Sequence, residues 1–231
     1  MKQLFIVANW KENKTQSQAA AWLAEFSILN PQFSNKTVVV CSPFTALSEM
    51  KKHIDDKQLS IYLGSQNISQ FVSGAHTGEE SGEMLKEIVT YTIIGHSERR
   101  KMGETNEMVN EKIARAMENG LTPIICVSNK EQTHNLEAIV QSSQVSVNSS
   151  QLLVAFEPLD AIGTGNAEDP KSANDVAQKI KNRLGNVLVL YGGSVTAENV
   201  HSFTSQPSID GVLPGTDSLD PQLFANVILN S

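Results

Sequence analysis

The chain has 231 residues, 40% of them apolar and 19% charged, which supplies a sizeable core and excludes a disordered polymer. Its 18 basic and 25 acidic side chains leave a formal charge of −7, which argues against a general nucleic-acid binder but leaves room for a small anion held by one cation and a few aimed N–H groups. The N-terminal apolar run covers only Leu4 to Ala8, too short for an export signal or a spanning helix of about 20 residues, so a cytoplasmic protein is expected.

Strand-like runs occupy 5–9, 37–42, 59–65, 91–96, 122–128, 152–158, 187–193 and 209–215. Most are near-continuous apolar runs, the mark of parallel strands covered on both faces. Helical spacing fills the gaps. Ala19, Trp22, Leu23 and Phe26 share one stripe, as do Val109, Lys112, Ile113 and Ala116, with Lys112 expected to snorkel. Asp169-Pro170 reads as an N-cap and first-turn proline ahead of Val176, Ile180 and Leu184, with Gly185 as the stop. Asp220-Pro221 opens a last helix carrying Phe224, Val227 and Ile228.

Eight such units without a linker or a composition shift predict one (β/α)₈ barrel domain over residues 1–231. The rival arrangement, a doubly wound open sheet, wants a glycine fingerprint after the first strand, where Asn9-Trp10-Lys11 stands instead. Cys41 and Cys126 lie inside apolar runs and read as buried, reduced thiols.

A barrel of this kind builds its site at the C-terminal ends of its strands. The polar residues there are Asn9, Lys11, His96, Glu157, Gly192-Gly193-Ser194 and Gly215. Each has a plain structural alternative: a solvated lysine, a structural histidine, a salt-bridged carboxylate, a tight turn. Gly163-Thr164-Gly165, Gly192-Gly193-Ser194 and Gly215-Thr216 sit after strands six to eight, where free backbone N–H groups suit a phosphate. The five histidines form no close-spaced pair and no carboxylate cluster has ligand spacing, so neither a metal nor a cofactor is expected. A lysine, a histidine and a glutamate converging suit general acid–base chemistry beside a carbonyl.

Five blocks, ANWKEN (8–13), IIGHSERR (93–100), AFEPLDAIGTG (155–165), YGGSV (191–195) and DGVLPG (210–215), together resemble triosephosphate isomerases in order and spread. The resemblance implies interconversion of glyceraldehyde 3-phosphate and dihydroxyacetone phosphate through an enediolate, in glycolysis and gluconeogenesis. It implies Glu157 as the base, His96 as the neutral electrophile and Lys11 as the cation, with Asn9 a donor beside it and Glu98 a supporting carboxylate. Gly163 in a lid, Ser194, Gly215 and Thr216 match the phosphate-gripping positions. GAHTGEE (74–80) is similar to the loop whose threonine, here Thr77, inserts beside a neighbouring subunit, which implies a homodimer.

The chain also departs from the pattern. Leu159-Asp160 replaces the usual Val-Trp after Glu157-Pro158, and Ser128-Asn129 replaces Gly-Glu after Cys-Val. Pro214-Gly215-Thr216 keeps one glycine of the last phosphate loop, and Phe156 replaces a tyrosine. Because both hinge partners change together, Asp160 and Asn129 are expected to hydrogen-bond in one lid state.

Overall fold

The computed structural model describes residues 2–29, 33–142, 152–159, 161 and 166–231. Eight strands, β1 (Leu4–Asn9), β2 (Lys36–Ser42), β3 (Tyr62–Ser65), β4 (Tyr91–Ile94), β5 (Thr122–Val127), β6 (Leu153–Phe156), β7 (Leu188–Tyr191) and β8 (Gly211–Val212), close into a parallel barrel in sequence order. Each strand pairs with its sequence neighbour, and β1 pairs with β8 through Phe5–Gly211 and Ile6–Val212. Closure depends on a glycine: a Cβ on Gly211 would lie 2.0 Å from the Phe5 carbonyl oxygen. Only a residue with no side chain lets the last strand come that near the first.

The expected elements appear with trimmed strand ends. β4 stops two residues before His96, and β6 one before Glu157, because the chain leaves the ladder there to form loops. The predicted helical stripe of Ala19, Trp22, Leu23 and Phe26 is the buried face of α1 (Gln16–Leu29). α2 (Phe44–Lys57) and the short α3 (Gly82–Leu85) and α4 (Ser97–Lys101) follow, then α5 (Asn106–Glu118) and α6 (Lys130–Ser142). α7 (Pro170–Leu184) starts on the Asp169 cap, whose carboxylate accepts the Ser172 N–H at 2.9 Å. It stops at Gly185, whose φ of 78° is left-handed. α8 (Val200–Thr204), a 3₁₀ turn at Thr216–Leu219, and α9 (Pro221–Asn230) on its Asp220 cap complete the chain.

Two apolar layers result. Side chains such as Val39, Ile93, Ile124 and Leu190 fill the barrel interior, while Ile6, Val38, Val154 and Val189 point outward against the helices. Lys112 corrects an expectation: it does not snorkel to solvent but is buried. Its ammonium bonds the buried Glu104 carboxylate and Asn67 Oδ1, a partner set that the stripe pattern of one helix cannot reveal. Among the described residues no helix is long and apolar enough to cross a membrane.

Candidate active site

Lys11 sits just past β1 in a left-handed conformation, φ 53°, which costs a non-glycine residue on the order of 1 kcal/mol. Its neighbours hold it there. The Lys11 N–H donates to Asn9 Oδ1 at 3.1 Å, and Gln66 Nε2 donates to the Lys11 carbonyl at 2.9 Å. Trp10, fully buried between them in sequence, donates its indole N–H to the Ser218 carbonyl at 3.0 Å. The loop after β1 is thereby fastened to the 3₁₀ turn after β8. As a result the Lys11 side chain runs beside Gly215.

The Lys11 ammonium meets Glu98 Oε1 at 2.7 Å. Burial pushes the Glu98 carboxyl upward, but the hydrogen bond and charge of Lys11, with His96 and Lys101, outweigh it and hold Glu98 below the ordinary range. His96 caps α4: its Nδ1 accepts the Glu98 N–H at 3.2 Å. An acceptor at Nδ1 leaves the ring proton on Nε2, so the imidazole presents a donor to the pocket.

That donor faces Glu157, whose Oε1 lies 3.0 Å from His96 Nε2. The Glu157 carboxylate is 2% exposed, and its other oxygen accepts the Ser97 N–H at 3.3 Å. Its backbone N–H bonds the Val127 carbonyl at 2.9 Å, so the barrel ladder itself places the residue. Behind it lies Cys126, whose thiol is pushed well up by burial and further by Glu157. Both cysteines are free and buried.

Asn9, Lys11, His96, Glu157, Ser194, Gly215 and Thr216 all line one cavity of about 290 Å³. Ser194 is left-handed, φ 49°, and donates its hydroxyl to the Ala161 carbonyl at 2.6 Å. Thr216 keeps out of the left-handed region and opens the 3₁₀ turn. Gly163 lies outside the described residues. Thr77 is exposed on the loop between β3 and α3 and does not line this cavity. A buried base, a ring N–H and an ammonium around one small cavity can move a proton beside a carbonyl and meet the charge that forms.

Comparison with known proteins supplies the family. The family model described as triosephosphate isomerase matches residues 4–231. The chain belongs to the triosephosphate isomerase family. Members of that family are intramolecular aldose–ketose isomerases. Relatives named triosephosphate isomerase include one from a Synechocystis species, 41% identical over 99% of this chain and 98% of its own length. One from a Synechococcus species is 40% identical over 99% and 97%. Another, from Dictyoglomus thermophilum, is 39% identical over 99% of both.

The departures noted in the sequence fall partly on described residues. Asn129 Oδ1 accepts the Gln132 N–H at 2.9 Å and so serves the first turn of α6. Its expected partner, Asp160, lies outside the described residues. Further along the chain the Tyr191 hydroxyl accepts the Glu168 N–H at 2.8 Å. Phe156 packs in the outer layer with no hydroxyl to satisfy.

Sequence reasoning missed three contributors. Gln66 spans two strand ends, bonding the carbonyls of both Lys11 and Cys41, and nothing in its own segment marks it. Trp10 acts as an anchor across 208 positions of chain. Asp217 lines the cavity beside Thr216, and its place next to an expected phosphate loop was the signal available.

Proposed function

We propose that this chain interconverts D-glyceraldehyde 3-phosphate and dihydroxyacetone phosphate through an enediolate, as the glycolytic and gluconeogenic isomerase of its cell. The approach of His96 Nε2 to Glu157 Oε1, 3.0 Å, with Lys11 in the same cavity, carries this reading. Substrate entry replaces that direct hydrogen bond. The carbonyl oxygen takes the His96 N–H, and the neighbouring carbon presents its proton to the Glu157 carboxylate. Glu157 removes the proton, and the enediolate oxygens share the imidazole donor and the Lys11 charge. A proton then passes from the substrate hydroxyl oxygen to the former carbonyl oxygen by way of the His96 imidazole, and the protonated Glu157 returns its proton to the adjacent carbon.

A positioned base contributes roughly 10²–10⁴-fold. Donors aimed at the developing oxyanion and exclusion of water supply the remainder. The phosphate is gripped by the backbone at Ser194, Gly215 and Thr216, together with Gly163 of the lid. The chain acts as a single barrel domain in the cytoplasm, as a homodimer in which the Thr77 loop reaches the partner. The exposure of that loop's Phe71 and Val72 supports this assembly. Solution mass across a dilution series tests it.

A coupled assay on purified protein, with and without a chelator, tests the reaction. Activity is expected in both, and Glu157→Gln is expected to lower kcat by at least about 10²-fold. Chelator-sensitive turnover, or a Glu157→Gln enzyme within threefold of the parent, would refute the proposal.

A further inference from the structure

The cavity proposed to grip a phosphate has a carboxylate in its own wall. Asp217, the second residue of the 3₁₀ turn, lines it together with Ser194, Thr196 and Thr216. Among the described lining residues Lys11 is the one lysine or arginine, and it is already paired with Glu98. An anion entering here therefore meets one shared cation and two carboxylates, the proposed base Glu157 and Asp217. Burial pushes the Asp217 carboxyl up, and the charges of Glu198 and Asp220 add to that, while the Ala197 N–H opposes it.

We propose that Asp217 sets the affinity of this pocket for phosphate esters, its charge loosening the hold on a dianion. The inference rests on the isomerase reading only in taking the bound group to be a phosphate. Coulomb's law, for a dianion several ångströms from a unit charge in a nearly aqueous dielectric, gives roughly a 3- to 10-fold weakening. The phosphate is chemically the same in substrate and transition state, so the effect falls on KM rather than kcat. Product carries the same group, and its release is loosened equally.

Asp217→Asn keeps the side-chain shape and an acceptor oxygen while removing the charge. Binding of inorganic phosphate, measured calorimetrically, needs no turnover. It is expected to tighten about 3- to 10-fold, with a parallel fall in KM, and the difference is expected to shrink in high salt. Asp217→Ser, which also keeps an acceptor, is expected to give the same direction should the asparagine perturb folding. Phosphate binding that is unchanged or weaker in both variants overturns the proposal. A wild-type chain that fails to isomerise while its Asp217→Asn variant binds phosphate more tightly sinks the isomerase reading and leaves this one standing. Normal isomerisation with no tightening sinks this one alone.

Discussion

Gly192→Ala isolates the placement of the base. A Cβ at Gly192 would lie 3.2 Å from Glu157 Cγ, with its next neighbours at 3.6 and 3.7 Å, so the single tight contact is with the proposed base. The Gly192 backbone is not left-handed, so alanine is conformationally permitted there. Carbon atoms prefer roughly 3.5–4.0 Å, so Glu157 must give way by a few tenths of an ångström at Cγ and by more at the carboxylate. That carboxylate is held by His96 at 3.0 Å and Ser97 at 3.3 Å, and both bonds lengthen. A misplacement of about 1 Å costs on the order of 10²-fold. Half of that displacement predicts a kcat lower by about tenfold, or ~1.4 kcal/mol of barrier. Inorganic phosphate binding, which does not involve Glu157, should hardly move. Steady-state kinetics with a coupling enzyme give the first quantity and calorimetry the second. A kcat within twofold of the parent would refute the claim that the Glu157 rotamer is held this tightly.

Two other consequences concern the buried polar groups. Lys112→Met leaves the Glu104 carboxylate, which is 2% exposed, with the longer Arg99 contact at 3.5 Å in place of the lysine, and breaking a buried pair costs about 3–5 kcal/mol. For a chain of this size Tm should fall by roughly 6–20 °C, while Lys112→Met with Glu104→Leu should recover most of it; a Tm within 2 °C for the single variant removes the argument. Burial raises both thiols above the ordinary cysteine range, keeping them neutral at pH 8. A thiol reagent should therefore titrate neither in the native protein and both after unfolding, and rapid native labelling of either would contradict their placement.

Much of the barrel could be read from the chain because its signals are local. Apolar strand runs, the Asp169 and Asp220 caps and the Gly185 stop each need only a few neighbouring residues, and each stands where expected. Strand ends were overestimated for a physical reason: Gly95-His96 and Glu157-Pro158 follow the apolar runs of β4 and β6 without a break in sequence, and they are buried or half-buried where the chain turns off into the site loops. The Lys112 error has the opposite origin. A lysine in an apolar stripe reads as a snorkelling stem until its partners Glu104 and Asn67, from other elements, are known. Gln66 and Trp10 escaped notice in the same way, since their bonds join residues far apart in sequence. The candidate acid–base set was legible because a barrel assigns chemistry to strand ends, and motif resemblance supplied the roles.

Two kinds of support divide the proposed site, and they bear on the unusual hinge. Asn9 is the last residue of β1 and bonds the Pro214 carbonyl, while Glu157 bonds Val127 next door in the barrel. His96 follows β4 by two residues and is locked by the Glu98 N–H. These positions descend from barrel closure, including the glycine-dependent approach of β8 to β1. Leu159 and Asn129, at the proposed hinge, lie beyond the ends of β6 and β5, and Asn129 already serves α6. Changes there can alter how the cavity is sealed without displacing the His96–Glu157 approach. Their effect should therefore fall on phosphate grip and water exclusion, whereas a change at Gly192 should act on proton transfer itself.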